Sequence, residues 1–334
     1  MKSWIAMAGW TGMKAKLFLC ASLAFAVLSV GSNWSCRSSS VSSGNGTVSE
    51  AIAKEKRGAE MARAISAADE HVCVVRNDGV LKCWDLANKT HRVNRGSNFR
   101  NVDTAMQIVG GLGKRGHYCA LDDECEISCW EEEGEGDRLL TPDEEFRELS
   151  VGDGFTCAIA KDSSLACWGD NSSAQTDAPA GRFRSLDSGT LHSCAIQSDS
   201  EVNCWGENDH GQTDAPAGKF VEISAGNAFS CGVRDNGRIT CWGLNNSGQI
   251  EAPGGTFVDV SAGSDLACGI RLDGSLDCWG GFPVVPPVPP GKFREIVVGT
   301  RGLICAITEL REAKCWGLEL NDEGETELKI RDLD

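Results

Sequence analysis

Paired cysteines are the residues of this sequence best placed to do chemistry. The chain has seventeen cysteines, and fourteen of them form pairs with nine residues between the two members. Thiols at a fixed spacing serve as disulfides, as metal ligands or as small apolar core residues. The pairs are Cys73 and Cys83, Cys119 and Cys129, Cys157 and Cys167, Cys194 and Cys204, Cys231 and Cys241, Cys268 and Cys278, and Cys305 and Cys315.

The residues between paired cysteines favour a disulfide. Turn-forming triplets lie midway, such as DNG at Asp235–Gly237 and NDG at Asn77–Gly79, and they are typical of tight hairpins. Such a turn places the cysteines opposite each other, with Cα atoms about 4.5–5.5 Å apart, which suits a disulfide. Zinc ligands are usually about two to four residues apart within a pair, so this spacing fits zinc poorly. Reduced core cysteines are the other alternative.

The cysteine pairs belong to a repeat. Successive pairs begin 46, 38, 37, 37, 37 and 37 residues apart, a period that indicates a propeller or a solenoid. Phe229, Cys231 and Val233 alternate along one face of a predicted strand. A strand with apolar residues on both faces must be covered by other elements on both, as in a sheet between two neighbouring blades. A tryptophan follows every second cysteine, and we expect these residues to form a repeated core: Trp84, Trp130, Trp168, Trp205, Trp242, Trp279 and Trp316.

These patterns predict an all-β fold, a seven-bladed β-propeller with one intra-blade hairpin disulfide per repeat. An apolar residue about eleven positions before each first cysteine suggests an additional strand, at Leu149, Phe183, Phe220, Phe257 and Phe293. We expect the C-terminal segment ETELKIRDLD to close the ring by pairing with the first unit around ARAISAA.

The N-terminal segment predicts export. A positively charged start and the apolar stretch 17–30 have the pattern of a signal peptide over residues 1–31, with Met13 as an alternative true start. Residues 32–62 are predicted to form a Ser/Gly-rich linker and a short helix within EAIAKEKRGAEMARA, and residues 63–334 the propeller. Export and a disulfide ladder imply the same extracytoplasmic compartment, secreted or at the cell surface.

Two cysteines of the mature chain stand outside the pairs. Cys36 follows NWS, which lacks the leucine expected before a lipid-anchored cysteine, so lipid anchoring is only an alternative there. A bridge from Cys36 to Cys125 that fixes the tail is a second hypothesis. No other apolar run of membrane length follows the signal peptide, so we expect no transmembrane segment in the mature chain.

The repeats resemble those of the regulator of chromosome condensation superfamily. The stretches VSAG…CGIRLDGSLDCWG and CWGENDHGQ are similar to its repeat, with a glycine before the strand pair, an Asp-Gly turn and Trp-Gly-x-Asn-x-x-Gly-Gln after it. The resemblance covers roughly residues 63 to 320 and implies a propeller. The units also resemble the superfamily's secreted short-repeat branch, which includes bacterial β-lactamase inhibitor proteins, and the paired cysteines resemble those of plant crinkly-type receptor ectodomains.

The family's repeat is matched in part. The glycine five residues before the first cysteine is matched by Gly152, Gly189, Gly226 and Gly263, and the terminal glutamine by Gln175, Gln212 and Gln249. Ala68 and Thr300 replace the glycine in units one and seven, and units one, two, six and seven lack the glutamine. The founding member exchanges guanine nucleotides through an inserted wedge. No unit here has an insertion long enough for one, so exchange activity is not expected.

No catalytic or metal-binding grouping stands out. His71, His117 and His192 each lie two residues before a first cysteine, where other units have Phe or Leu, so we interpret them as packing residues. Phosphate loops, metal-ligand spacings and Ser-His-Asp groupings do not rise above chance. We therefore expect no enzyme, no cofactor and no metal.

Charge and two irregular loops bear on the partner. A formal net charge of −16 disfavours nucleic acid and anionic membranes. The acidic loop of unit two is a candidate contact, with a solvated loop as the alternative. The proline-rich loop of unit six is another, with a rigid rim connector as the alternative. The candidate contact residues are Glu131, Glu132, Glu133, Phe282, Pro286 and Pro287.

The sequence therefore predicts a monomeric, non-enzymatic, secreted or cell-surface propeller that binds another protein through its loops. Varied loops on a constant Cys–Trp frame favour this function. A structural surface or matrix protein is one alternative, and an enzyme with an unrecognised central-channel site is the other, although no polar group is seen to recur or converge there. Inhibition of β-lactamases is disfavoured because binding hot spots favour Tyr, Trp and Arg, and Tyr118 is the single tyrosine.

Overall fold

The computed structural model describes residues 62–68, 71–85, 90–95, 98–109, 113–131, 144–281, 285–299, 302–320 and 326–332. The predicted signal peptide, the linker, Cys36 and most of the predicted helix lie outside these residues. The last part of the helical segment, from Ala62 to Ala64, is strand instead. Cys125 is half-buried and is not in a disulfide. Within the described ranges there is no helix long and apolar enough to cross a membrane.

All the described elements are β-strands, and they follow one another in seven groups, numbered here as blades one to seven. The strands are, in blade one, β1 (Ala62–Ala68), β2 (His71–Arg76), β3 (Leu81–Asp85) and β4 (Thr90–Arg95); in blade two, β5 (Phe99–Val109), β6 (Gly113–Asp122) and β7 (Ile127–Glu131); in blade three, β8 (Phe146–Val151), β9 (Phe155–Ala160) and β10 (Leu165–Gly169); in blade four, β11 (Phe183–Ser188), β12 (His192–Gln197) and β13 (Val202–Gly206); in blade five, β14 (Phe220–Ala225), β15 (Phe229–Arg234) and β16 (Ile239–Gly243); in blade six, β17 (Phe257–Ala262), β18 (Leu266–Arg271) and β19 (Leu276–Gly280); and in blade seven, β20 (Phe293–Val298), β21 (Ile304–Thr308), β22 (Ala313–Leu320) and β23 (Thr326–Asp332).

Each blade is one antiparallel sheet whose strands pair in chain order. The second and third strands form the predicted hairpin, so that Cys231 lies directly opposite Cys241. All seven predicted disulfides are present, with Cα–Cα distances of 4.0 to 4.1 Å. The predicted pairing is therefore confirmed for all seven pairs.

The core consists of seven apolar layers, each between two neighbouring blades. In the layer between blades five and six, Val233 packs with Trp279. Between blades seven and one, Ile307 packs with Val72 and Val74, so the ring of blades is closed. Strands apolar on both faces are explained by this arrangement, because each sheet is covered on both sides. The prediction of a seven-bladed β-propeller is confirmed.

The first strands of the blades form the innermost circle. Each lies beside the first strands of the two adjacent blades, in the order β1, β5, β8, β11, β14, β17, β20 and back to β1. This circle surrounds the central channel of the propeller.

The predicted route of ring closure is wrong. The C-terminal strand β23 pairs with β22 of its own blade and does not add to β1, which pairs with β2. The two ends of the ring meet through hydrogen bonds instead. The Ala62 amide donates to the Arg311 carbonyl at 2.9 Å, and the Ile65 amide donates to the Glu295 carboxylate at 3.1 Å.

Two sequence assignments need correction. In unit three the additional strand begins at Phe146, which is paired with Ala160, rather than at Leu149, a buried residue further along the same strand. In unit seven the interblade position is Gly299 rather than Thr300. A Cβ atom at Gly263 would lie 2.7 Å from the Gly299 carbonyl oxygen, so an insertion of one residue before the cysteine hid the match.

Candidate functional site

Every first strand contains a β-bulge near its start. In blade five, Phe220 pairs with Arg234 and Glu222 pairs with Val233, which leaves Val221 as the extra residue. A bulge redirects the side chain of its extra residue. The seven extra residues, here called the bulge ring, are Arg63, Arg100, Arg147, Arg184, Val221, Val258 and Arg294.

Three arginines of the bulge ring donate hydrogen bonds to the next blade, and a fourth, Arg63, forms an ion pair with Asp123 of the next blade at 3.7 Å. The Arg100 Nη2 donates to the Phe146 carbonyl of the next blade at 2.8 Å. Arg147 and Arg184 donate in the same way to the first residues of the following blades. A guanidinium has five N–H donors, and one carbonyl uses only part of that capacity. Positive charge from separate blades is thus held at one mouth of the channel.

Carboxyl groups follow the bulge ring along the first strands. The residues directly after four of the bulges, here called the channel carboxyls, are Glu148, Glu222, Asp259 and Glu295. Burial raises the pKa of Glu148, Asp259 and Glu295 to about 7, and it also raises the pKa of Glu222. The negative charges of Asp259 and of Glu148, two blades away, raise the pKa of Glu222 further. Groups from different blades therefore share one confined space.

The polar groups of the first strands also link the blades. Glu148 accepts a hydrogen bond from the Leu186 amide at 2.7 Å, one blade further on. Asp187 of blade four accepts from the Ser224 hydroxyl at 2.9 Å and from the Ala225 amide at 2.7 Å. This network contradicts the sequence interpretation that no polar group recurs or converges in the channel. Its signal was present in the runs FRELS, FVEIS, FVDVS and FREIV, which recur in phase with the cysteines.

The geometry combines a cationic mouth with a channel of partly protonated carboxyls. No group of three or more His, Cys, Asp or Glu arranged to hold a metal ion occurs within the described residues. The arginines offer charged donors to an anion, whereas the carboxyls are already bonded to backbone amides. The arginines at the mouth, rather than the carboxyls in the channel, are therefore suited to binding an anionic group.

A second set of interactions, which the sequence interpretation missed, joins the outer parts of blades three to six. The buried Gln175, Gln212 and Gln249 close the loops after blades three, four and five. The indole N–H of the next blade's tryptophan donates to the backbone carbonyl of each glutamine at 2.9 Å, an arrangement here called the tryptophan latch. The donors are Trp205, Trp242 and Trp279.

The repeated tryptophans are core residues, as predicted. Five are buried, and Trp84 and Trp168 are partly buried and pack against the core. The histidines at the packing position agree where their side chains are described. His71 is buried, and the buried His192 lies 2.8 Å from the Ser230 hydroxyl. Burial lowers the pKa of His192 to about 4, so this imidazole is neutral at physiological pH.

The predicted contact residues are only partly described. Glu132, Glu133 and Phe282 lie outside the described residues, and Glu131 is the last residue of β7. Pro286 is buried and Pro287 is exposed. The nearby Val285 and Val288 pack against the layer between blades six and seven, so this segment is at least in part a packed connector.

Comparison with known proteins agrees with the fold and the repeat. The family model of the regulator of chromosome condensation (RCC1) repeat matches residues 146–175, 183–212 and 220–249. These ranges are the first three strands and the glutamine loop of blades three, four and five. The chain is therefore a seven-bladed propeller in which three blades match the model of the RCC1 repeat.

Two plant receptor ectodomains have similar structures. The CRINKLY WD40 ectodomain of the Arabidopsis thaliana receptor kinase ACR4 is 26% identical, with a TM-score of 0.60, over 77% of this chain and 95% of that one. The entire ectodomain of the Physcomitrella patens receptor kinase CR4 is 24% identical, also with a TM-score of 0.60, over 78% of this chain and 76% of that one. The expected resemblance to crinkly-type ectodomains is confirmed at the level of the fold.

Proposed function

We propose that this protein is exported and binds another protein through the surface of its propeller, without catalysing a reaction. The observation that carries the proposal is the likeness to a receptor ectodomain over nearly all of that ectodomain. Seven disulfides support an oxidising, extracytoplasmic compartment. The proposal includes a signal peptide that ends near residue 31 and a monomeric propeller.

The contact surface of this protein cannot be rich in tyrosine. Tyr118 is buried and stacks on Trp130, with 5.9 Å between ring centroids. Since the single tyrosine is a core residue, the contact depends on other side chains. The arginines of the bulge ring are the strongest candidates, because arginine is enriched in binding hot spots.

Export is tested by expressing the full chain in a secretory host and measuring its intact mass. We expect secreted protein without the first residues, whose mass rises by fourteen hydrogens when seven bridges are reduced. Alkylation of the paired cysteines before reduction would contradict an oxidising compartment.

Protein binding is tested by crosslinking the native secreted protein to surface proteins of its own source cells. The control is the same protein after reduction and alkylation, which has the same composition but lacks the disulfides. A partner joined only to the native form is expected. Equal yields from both forms would show adhesion of unfolded chain and would contradict the proposal.

A further inference from the structure

The exposed large apolar side chains lie on the same face as the bulge ring. Val221 and Val258 of the ring are 42% and 45% exposed, and Leu272 and Leu310 are 72% and 70% exposed. The two leucines lie in the hairpin turns of blades six and seven. Those turns share a face with the bulges, because the start of each first strand pairs with the end of the second strand. These four residues, here called the apolar sector, are the exposed large hydrophobics among the described residues.

The other blades present positive charge at the same level of the ring. The bulged residue is arginine in blades seven, one, two, three and four, and it is valine only in blades five and six. The arginine arc and the apolar sector therefore adjoin around one mouth. The five arginines concentrate positive charge at this mouth, although the chain as a whole has a formal net charge of −16. The channel carboxyls only partly offset this charge, because burial raises the pKa of all four, to about 7 for Glu148, Asp259 and Glu295.

A rim of charged side chains surrounds this mouth. Each hairpin turn of the same face contributes an exposed acidic residue: Asp78, Asp123, Asp162, Asp199, Asp235, Asp273 and Glu309. Hydrogen bonds from Ser164 and Ser275 lower the pKa of Asp162 and Asp273, so both stay ionised. Exposed basic residues lie among these acids on the same face, including Lys161, Arg182, Lys219 and Lys292, so the rim carries charge of both signs. A narrow acidic segment reaches the arginines without crossing a wide negative surface.

We propose that this mouth binds a protruding acidic segment of a partner protein, with carboxylates on the arginine arc and an apolar side chain on the apolar sector. The inference rests on the proposed protein-binding function and names its site and partner chemistry. Arginine–carboxylate pairs supply charge-assisted hydrogen bonds. The exposed valines and leucines supply apolar surface that is removed from water on binding.

A defined probe tests the chemistry. A short fluorescein-labelled peptide that alternates glutamate with leucine is titrated with the full secreted protein, and fluorescence anisotropy is followed. We expect saturable binding that weakens as salt is raised. Peptides in which glutamine replaces glutamate, or serine replaces leucine, should bind roughly tenfold more weakly or worse. Equal binding of the glutamate and glutamine peptides would overturn the proposal.

Substitutions in the bulge ring test whether the peptide binds there. Arg294→Gln and Val258→Ser should each weaken binding roughly threefold to tenfold. Lys314→Gln removes the same charge from the third strand of blade seven and should leave affinity unchanged. Arg147→Lys keeps the positive charge at a residue that hydrogen-bonds to the next blade, and it should retain most binding. An unaltered affinity for Arg294→Gln, with the fold intact by its thermal midpoint, would contradict the assignment.

Photocrosslinking separates this inference from the broader function. A photoreactive amino acid is placed at Val258 or, on the opposite face, at Leu244 after β16, and source-cell proteins are added. Crosslinks from Val258 that the glutamate–leucine peptide blocks would support the site. Crosslinks from Leu244 alone would overturn the inference and leave protein binding intact. Crosslinks from neither position would count against both.

Discussion

Blades three to five and blades one and seven complete their outer edges in different ways. In blades three to five the chain leaves the third strand through a loop that ends in a buried glutamine, and this loop holds the tryptophan of the next blade. In blades one and seven a fourth strand pairs with the third strand of the same blade. Blades three to five are thus hydrogen-bonded to the next blade through their loops. Blades one and seven, which meet at the junction where the ring closes, instead each gain a fourth strand.

Blade six shows what happens when the glutamine loop is absent but another blade follows. Its proline-rich segment packs Val285 and Val288 against the next layer. The buried Trp316 of blade seven has no hydrogen-bond acceptor for its indole N–H among the described residues. Apolar packing there stands in for the latch. Among the described residues, every pair of neighbouring blades shares an apolar layer, whereas the polar fastening occurs where the repeat is regular.

The largest effect is expected at the interblade glycines of the regular region. A Cβ atom at Gly189 would overlap the Gly226 carbonyl oxygen, whereas one at Gly299 would lie 3.4 Å from the Ala67 carbonyl oxygen. Gly189→Ala should lower the free energy of unfolding by about 3 kcal/mol, and Gly299→Ala by much less. Gly254→Ala, at an open position, is the control. If denaturant titrations show equal losses of unfolding free energy for Gly189→Ala and Gly299→Ala, the regular interblade contacts are no tighter than the contact between blades seven and one.

The disulfides should contribute next. Replacing Cys231 and Cys241 together by serine reopens a loop with a separation of 10 residues and should cost about 2–3 kcal/mol. The same double change at Cys305 and Cys315, beside the fourth strand, removes a loop of the same length. We expect equal costs in calorimetry, because the chain-entropy effect depends on loop length. A clearly smaller cost in blade seven would show that β23 replaces the disulfide as a constraint.

Stability should fall as pH rises from about 4.5 to about 7. The channel carboxyls bind protons more tightly in the folded state than in the unfolded state, so folding is favoured at low pH and this contribution is lost towards neutrality. Allowing for solvent screening, we expect roughly 2 kcal/mol between pH 5 and pH 8. Glu148→Gln within the regular region and Glu295→Gln at the junction should each flatten the profile. A pH dependence unchanged by both substitutions would refute this origin.

The smallest effect isolates the tryptophan latch. Trp242→Phe and Trp316→Phe remove similar volume from buried sites, but only Trp242 donates a hydrogen bond, to the Gln212 carbonyl at 2.9 Å. The cost of Trp242→Phe should therefore exceed that of Trp316→Phe by about 1 kcal/mol. Matching costs in chemical denaturation would show that the latch orients the blades without stabilising them.

Sequence reasoning was sufficient for the scaffold because the scaffold is periodic. The cysteine spacing, the turn triplets and the alternation of Phe229, Cys231 and Val233 each fixed a strand or a pairing, and all are local signals. The candidate site was accessible only in part, because the in-phase runs such as FRELS and FVEIS show that carboxyls recur but not where they meet. Arg147 and Val221 occupy the same position only because a bulge inserts one residue, and a single sequence gives no sign of a bulge. Likewise, Glu148 and Glu222 meet only after the ring has closed.

The cysteine ladder also bears on how the protein is made. Every disulfide joins residues within one hairpin, at a separation of 10, and every blade is built from one continuous stretch of chain. The correct partner is therefore the nearest one that a hairpin can reach, and pairings across blades carry a larger loop-closure cost. A nascent chain can oxidise each hairpin as it emerges, before any later blade exists. Fourteen cysteines thus place little demand on disulfide isomerases, and the layer between blades seven and one can form only after the last blade has been synthesised.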